Sequence, residues 1–300
     1  MLTIGSRGSK LALWQANWIA GRLKEAGQPA RIQIIKTTGD KIQDVALSMV
    51  GTKGLFTKEI EEALLDGRID VAVHSLKDMP TELPAGLTLV AIPEREEVRD
   101  AVVGRQLSEL AAGARVGTSS LRRAAQLRLL RPDLVVESIR GNVDTRLRKL
   151  DEGRYDAIVL AAAGLLRLGF EDRIAELLTM EQMLPAVGQG ALAIETREET
   201  SDATAACGAL NHEPTRIAVT AERAVLASLG GGCQVPIGAY AVVEGGRLRI
   251  DAVVIPPEKG PALRRSAEGA VADAAQLGQA LGEQLLAAGA DDILEAVYGA

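Results

Sequence analysis

Cys233 is the residue of this chain best suited to covalent chemistry. It follows three consecutive glycines, Gly230, Gly231 and Gly232, and Pro236 comes shortly after it. Glycine lacks a side chain, so backbone, solvent or a bound group can approach the sulfur closely, while proline restricts the far side of the loop. The pattern allows two interpretations of Cys233: a small residue in a surface turn, or a sulfur kept accessible for chemistry.

Asp78 and His74 belong to a polar segment, residues 74–78 (HSLKD), that follows a predicted strand. In open α/β sheets, ligands bind beyond the carboxyl ends of the strands. A carboxylate at such a position is either a salt-bridge partner or a functional acid, and spacing alone leaves both open for Asp78. We interpret His74 as a buried structural histidine. The histidines and cysteines of the chain do not show the spacing of zinc ligands, so we predict no metal site.

A locally basic stretch, residues 122–154, contains nine basic and five acidic residues. Just before it, Thr118, Ser119 and Ser120 form the turn from a predicted strand into a helix, where free N–H groups and the helix dipole favour an anion. Arginine binds carboxylates through two parallel hydrogen bonds, and Arg122, Arg140 and Arg146 are the candidates. The stretch predicts an anionic small ligand, for which phosphate fits as well as carboxylate; a solvated helix face is the alternative.

Composition limits the class of protein. The chain has 300 residues, of which 47% are hydrophobic and 25% charged, as in soluble globular proteins of two or three domains. A net charge of −6 argues against a general nucleic-acid binder. Two cysteines make no disulfide framework, which fits a reducing compartment. We expect a cytoplasmic protein, because residues 1–7 enter a strand without a signal core, and no membrane span.

Strands and helices alternate along the chain, which predicts a parallel or mixed α/β fold. Strands are predicted at residues 2–4, 31–36, 70–74 and 87–92, with helices at 9–26 and 53–66. The order then recurs: the strand and turn at residues 115–120 correspond to residues 3–9, and residues 153–159 to 67–73. We infer two similar α/β lobes that face each other.

Two connections divide the chain in this interpretation. A charged crossover lies around residues 94–99 and a second connection near residues 184–190, after which a strand at 191–195 returns to the first sheet. Domain 1 is then formed by residues 1–95 with 190–209, and domain 2 by residues 96–189. Domain 3, residues 210–300, is predicted to contain a helix at 214–229, the cysteine loop, strands at 238–243 and 247–254, and a helix at 273–288.

Together these segments resemble the porphobilinogen deaminase family over nearly the whole chain. The resemblance is carried by residues 5–16 (GSRGSKLALWQA), 54–59 (GLFTKE), 74–80 (HSLKDMP), 117–123 (GTSSLRR), 140–146 (RGNVDTR), 184–190 (LPAVGQG) and 231–238 (GGCQVPIG). It implies three α/β domains, the first two like type II periplasmic-binding-protein lobes and the third small, with an open sheet. It also implies a monomer.

The resemblance implies a transferase that condenses four porphobilinogen molecules onto a dipyrromethane cofactor and then releases hydroxymethylbilane. It places the covalent thioether attachment of the cofactor on Cys233 and the catalytic aspartate on Asp78. Lys53 and Phe56 match the family's mobile loop. Contacts to cofactor or substrate carboxylates are assigned to Arg7, Ser9, Lys77, Ser120, Arg122, Arg123, Arg140, Arg146 and Arg167; the substrate contacts are Arg7, Phe56, Arg140, Arg146 and Arg167.

Two other classes of protein were weighed against this enzyme. A two-lobed binding protein for a small anion would account for the repeat and the basic stretch, but not for the third domain or the glycine-flanked Cys233. A thiol-dependent hydrolase needs a histidine base, and neither His74 nor His212 lies in a nucleophile motif. The enzyme interpretation alone explains Cys233, Asp78 and the basic stretch together.

Overall fold

The computed structural model describes residues 1–41, 56–231, 235–257 and 260–298. The chain forms two compact units: Met1–Glu96 with Ala191–Arg216, here unit 1, and Glu97–Gly190 with Ile217–Ala300, here unit 2. The predicted α/β class is confirmed by three sheets flanked by helices. Unit 2 contains two of these sheets, and the division into three domains stays a prediction.

Strands and helices are numbered in chain order among the described residues. The strands are β1 (Leu2–Ser6), β2 (Ala30–Ile34), β3 (Val71–Ser75), β4 (Leu87–Ala91), β5 (Asp100–Gly104), β6 (Arg115–Gly117), β7 (Val135–Glu137), β8 (Ala157–Ala161), β9 (Ile174–Leu177), β10 (Leu192–Arg197), β11 (Ile237–Glu244), β12 (Arg247–Val254) and β13 (Leu263–Ala270). The helices are α1 (Lys10–Glu25), α2 (Thr38–Lys41), α3 (Lys58–Leu65), α4 (Leu121–Leu130), α5 (Val143–Asp151), α6 (Ala162–Arg167), α7 (Asp202–Gly208), α8 (Glu213–Ser228), α9 (Ala274–Ala287) and α10 (Ala290–Tyr298).

The sheet of unit 1 has the order β2-β1-β3-β10-β4. Strands β1, β2 and β3 are parallel, whereas β10 is antiparallel to both β3 and β4. Helix α1 covers one face through Ala16, Ile19 and Leu23, and α3 covers the other through Ile60 and Leu64. Because both faces are covered, the strands are apolar on both sides, and the polar residues of interest lie at the strand ends.

The first sheet of unit 2 has the order β7-β6-β8-β5-β9, with β5 antiparallel to β8 and β9. This is the order of the unit 1 sheet with β6, β7, β8 and β9 in the places of β1, β2, β3 and β4, and with β5 in the place of β10. The predicted repeat is therefore confirmed. In each sheet, the fourth position is occupied by the first strand after the chain has crossed from the other unit.

The remaining sheet of unit 2 is antiparallel and open, in the order β11-β12-β13, as the third predicted domain required. Its core joins alternate residues of β11 and β12, such as Ala239, Ala241, Leu248 and Ile250, to helices α8 and α9. Helices α8 and α9 pack closely because Gly278 has no side chain. A Cβ at this position would clash with the Ala221 carbonyl oxygen.

Most predicted elements match within a few residues, and β10 does return to the first sheet. The helix predicted over residues 53–66 begins only at Lys58, as α3: Phe56 and Thr57 precede it, and residues 53–55 lie outside the described residues. Strands β5, β9 and β13 and helix α10 were not predicted. The outward residues of β13 are mostly exposed and polar, so an apolar-strand criterion passes over it.

Candidate active site

A pocket lies beyond the carboxyl ends of β1 and β3 in unit 1, where a ligand site is expected in an α/β sheet. It is lined by Arg7, Ser9, Leu11, Ala12, Gln15, Phe56, Thr57, Ile60, Val73, His74, Ser75 and Asp78. It contains about 470 Å³ of space, including the open solvent at its mouth. We call it the unit 1 pocket. It brings together four predicted residues: Arg7, Ser9, Phe56 and Asp78.

Asp78 ends the short 3-10 turn Leu76–Asp78 that follows β3. Leu76 and Met79 on either side are 1% and 2% exposed and anchor the turn in the core, so Asp78 points outward and is exposed. Its carboxylate has no hydrogen bond or ion pair with any residue that the structure describes. Of the two interpretations left open by spacing, the salt-bridge partner therefore finds no support among the described residues.

Arg7 lines the unit 1 pocket together with Phe56. The Arg7 guanidinium carbon lies 4.1 Å from the centroid of the Phe56 ring, a cation–π distance. Both side chains are half-buried. The ring thus restrains a positive charge at the pocket.

Ser9 and Gln15 line the side of the same pocket that helix α1 forms. The Ser9 hydroxyl accepts a hydrogen bond from the Ala12 N–H at 3.3 Å and caps helix α1. Gln15, one and a half turns into the helix, donates to the Ser75 hydroxyl at 2.9 Å. Lys77 is half-buried beside Asp78 but does not line the pocket.

His74 and Glu195 form a buried pair at the pocket's floor. His74 Nε2 lies 3.0 Å from Glu195 Oε2, and Glu61 on α3 is buried nearby. The buried position expected for His74 is confirmed. Glu61, Glu195, Gln15 and Ser75 were missed by sequence reasoning. Its place directly after the apolar residues Leu192, Ala193 and Ile194 of β10 was the one available signal for Glu195.

Arg122 and Arg123 lie in unit 2, on the first turn of α4, and both are buried. Arg122 Nη1 donates to Asp100 at 2.7 Å and to the Leu184 carbonyl oxygen at 2.7 Å. Arg123 Nε donates to the other Asp100 oxygen at 2.8 Å. Gln189 donates to the same oxygen at 2.9 Å. Two guanidinium groups share one carboxylate, which leaves one net positive charge.

Burial by itself would raise the pKa of Asp100, but the charges of Arg122 and Arg123 outweigh it and lower that pKa to about 2. Asp100 is therefore ionised at every physiological pH. The Nε–H group of Arg122 is buried without an acceptor among the described residues. Buried donors are nearly always paired, so this group is available to a bound acceptor.

The predicted turn before α4 is a helix cap. Ser120 accepts a hydrogen bond from the Arg123 N–H at 3.4 Å, and the Ser119 hydroxyl donates to the Ile139 carbonyl oxygen. Capping is compatible with anion binding at the same helix end.

The other predicted arginines of unit 2 lie around α5 and α6. Arg146 Nε donates to the Gly141 carbonyl oxygen at 2.7 Å, and Arg167, which is buried, donates to the Gly190 carbonyl oxygen at 2.6 Å. Arg140 is half-buried, and its guanidinium has no partner within the described part of the chain. Gly141 has a φ of +114°, which favours glycine after Arg140.

Cys233 and Lys53 lie outside the described residues, so their roles stay predictions. Cys207, in α7, is fully buried, and burial raises the pKa of its thiol to about 12. Within the described ranges, no cluster of histidine, cysteine, aspartate or glutamate is arranged to hold a metal ion. The described helices also include none that is long and apolar enough to cross a membrane.

Relatives and family models match the chain over both units. Among solved structures, the methionine-binding protein MetQ aligns with 70% of this chain and 89% of its own at 13% identity, with a TM-score of 0.45, too low to carry a conclusion. Among curated relatives, the porphobilinogen deaminase of Pelobacter propionicus is 52% identical, covering 99% of this chain and 97% of its own. That of Nitratidesulfovibrio vulgaris is 54% identical, covering 99% and 96%.

The family models cover the same length of chain. Residues 2–205 match the model described as "Porphobilinogen deaminase, dipyromethane cofactor binding domain". Residues 216–287 match the one described as "Porphobilinogen deaminase, C-terminal domain". With identities of 52% and 54% over nearly all of its residues, the chain belongs to the porphobilinogen deaminase family.

Proposed function

We propose that Asp78 is the catalytic group of a hydroxymethylbilane synthase whose reaction takes place at the unit 1 pocket. As a family member, the chain is a transferase of tetrapyrrole biosynthesis, with porphobilinogen as substrate and dipyrromethane as cofactor. It deaminates and joins four porphobilinogen molecules head to tail and releases linear hydroxymethylbilane. The observation that carries the proposal is the exposed Asp78 carboxylate, unpaired within the described residues, in one pocket with Arg7.

Asp78 acts electrostatically in this proposal. Loss of ammonia from porphobilinogen leaves positive charge on a pyrrole ring, and a fixed carboxylate stabilises it more than water does because it needs no reorientation. The turn between buried Leu76 and Met79 supplies that fixed position. Since no described residue competes for its oxygens, both are available to pyrrole N–H groups.

Arg7 has the complementary task of binding substrate carboxylate. Porphobilinogen carries acetate and propionate groups, and a charge-assisted hydrogen bond contributes roughly 1.5–3 kcal/mol. Phe56 restrains the guanidinium, which reduces the rotamer freedom lost on binding. Substrate would thus be held with its carboxylates toward Arg7 and a pyrrole nitrogen toward Asp78.

The chemistry of the donors in unit 2 fits a dipyrromethane, which is also a polycarboxylate. Arg140 without a described partner, the Arg122 Nε–H group and the Ser120 end of α4 are all donors to anions. We propose that these groups, with Arg123, Arg146 and Arg167, hold cofactor and growing-chain carboxylates, helped by Ser9 and Lys77. When bound, the cofactor supplies the pyrrole carbon that initiates the chain. Its attachment through Cys233 is part of the same proposal.

The family match does not favour the alternative of a two-lobed anion-binding protein. We further propose that the chain works as a monomer, as the family resemblance implies. We place it in the cytoplasm, supported by a composition with two cysteines and no disulfide framework. Light scattering after size-exclusion chromatography tests the first point, and the mass of two chains would contradict it.

Asp78→Asn tests the central proposal. The amide keeps the shape of the side chain but removes the charge, so porphobilinogen consumption should fall about 10²–10³-fold, while the unfolding midpoint stays unchanged because Asp78 is exposed. Asp66→Asn, at an exposed acid paired with Arg68 in unit 1, is the matched control and should keep full activity. Full activity of Asp78→Asn would remove it from the catalytic role.

A further inference from the structure

The floor of the unit 1 pocket carries three buried titratable side chains from three elements. In the β3–β10 register, Glu195 is opposite Ala72 and Ala193 is opposite His74. Because side chains alternate between faces, His74 and Glu195 lie diagonally on the same face, the one that α3 covers. Glu61 is on the buried side of α3. We call these residues the floor trio.

The His74–Glu195 bond determines which ring nitrogen remains for chemistry. The two side chains are 5% and 0% exposed, and Nε2 lies 3.0 Å from the carboxylate. A carboxylate accepts hydrogen bonds, so Nε2 carries the hydrogen. Since His74 also lines the pocket, the nitrogen left to exchange a proton with a bound molecule is Nδ1.

Glu61 influences the charge around this pair. Burial raises the pKa of Glu61, neighbouring Thr57 lowers it, and the Glu195 carboxylate raises it against the opposing effect of His74. Within the trio, Glu195 is the carboxylate that contacts His74 directly. The other charged groups that face His74 are Arg7 after β1 and Asp78 after β3, both at the pocket.

The reaction needs a proton acceptor in addition to Asp78. Each new carbon–carbon bond leaves a hydrogen on the attacking pyrrole carbon, and that hydrogen must leave as a proton. Asp78 has to stay ionised while positive charge persists on the ring. Among the residues that line the pocket, His74 is the other side chain with a nitrogen that can accept a proton.

We propose that His74, oriented by Glu195, is the base that removes this proton. The carbon–hydrogen bond breaks, its electron pair restores the aromatic pyrrole, and the proton passes to Nδ1, where Glu195 stabilises the imidazolium. The proton then leaves with the released ammonia as ammonium, so charge and atoms balance in every cycle. The inference rests on the proposed function and assigns it a second catalytic residue.

His74→Asn, assayed with porphobilinogen deuterated at its free α-carbon, tests the inference. With its base removed, proton loss becomes slow: kcat should fall about 10²–10⁴-fold, KM should change little, and an isotope effect should appear that wild type lacks. A purely structural histidine would give no isotope effect. His212→Asn is the control, since His212 bonds Thr215 through Nδ1 at 2.8 Å and does not line the pocket.

Glu195→Gln keeps the test decisive if His74→Asn does not fold. Losing the carboxylate disfavours the imidazolium, so the acidic limb of the kcat–pH profile should move to lower pH. Nitrogen NMR on the chain's two histidines adds a readout independent of activity: the His74 Nε2–H tautomer should dominate in wild type and weaken in Glu195→Gln, with His212 unchanged.

The outcomes separate this inference from the proposed function. If wild type turns over and His74→Asn matches it without an isotope effect, the base role is overturned while the function stands. The base role is also overturned, and the function again stands, if Glu195→Gln shifts neither the pH limb nor the tautomer. If wild type does not consume porphobilinogen, the proposed function itself fails.

Discussion

The guanidinium carbon of Arg7 lies 4.1 Å from the centroid of the Phe56 ring, at the pocket that also contains Asp78. The Arg7 guanidinium and the Asp78 carboxylate thus line one pocket. Among the described residues, no hydrogen bond or ion pair joins them. The aromatic ring restrains the arginine without neutralising it, unlike an acid. The contact with the ring therefore holds the positive charge of Arg7 at the pocket.

Phe56→Leu should weaken porphobilinogen binding without removing activity. A cation–π contact between half-buried groups contributes at least about 0.5–1 kcal/mol, so KM should rise about two- to fivefold. Trp18→Leu is the control, because Arg22 lies 6.0 Å from the Trp18 ring in the same unit but outside the pocket. An equal effect of both substitutions in steady-state kinetics would contradict the assignment.

The mass of the intact protein tests the cofactor attachment. Purified wild type should exceed its sequence mass by two pyrrole units, and Cys233→Ser should lack that excess because the oxygen forms no thioether. Cys207→Ser should retain it, as Cys207 is buried in α7. An unmodified protein with full activity would refute the tethered-cofactor mechanism.

Cys207 should be inert to thiol reagents in the native protein. Burial raises its pKa to about 12, and the reactive thiolate is then almost absent at about pH 8. Iodoacetamide followed by peptide mass spectrometry should label Cys207 only after unfolding. Rapid labelling of the folded protein would mean that α7 opens readily.

Because of Asp100, the free energy of unfolding should decrease at acidic pH. Its pKa is lowered from 3.8 to about 2 in the folded chain, so its stabilisation is complete above about pH 4 and disappears as the pH falls through about 2. The corresponding free energy is roughly 2 kcal/mol. Denaturant titrations between about pH 5 and pH 2 should show this loss in wild type and not in Asp100→Asn.

At neutral pH, Asp100→Asn should destabilise unit 2 by about 3–5 kcal/mol, because two buried guanidinium groups lose their counter-charge. Asp133→Asn is the control: Asp133 pairs with Arg131 at the surface, and its loss should leave the unfolding free energy nearly unchanged. Equal stability of the two variants would show that Arg122 and Arg123 find another partner.

Strand periodicity and turn residues were sufficient to predict the α/β repeat and the place of Asp78. They failed to predict the partners of Arg122 and Arg123. Asp100 begins β5, a strand that was not predicted, and lies 22 residues before Arg122. Antiparallel insertion of β5 beside β8 brings the carboxylate to α4. Local sequence does not encode this kind of pairing.

The floor trio was unpredictable for a related reason. His74 and Glu195 are 121 residues apart and become neighbours only through the β3–β10 register. Sequence reasoning could place each residue on a strand, but not decide which strands are adjacent. Conversely, Ser9 and Ser120 each accept a hydrogen bond from a backbone N–H only three residues later, a contact that is local in the sequence.

The central position of β10 in the unit 1 sheet affects how the chain folds during synthesis. Strand β4 ends at Ala91, but the strand that must separate it from β3 begins at Leu192. A ribosome needs roughly 5–20 s to add the intervening residues. During that time β3 and β4 lack the strand that pairs with both of them and His74 lacks Glu195, so the nascent amino-terminal segment exposes strand edges that can pair with other chains.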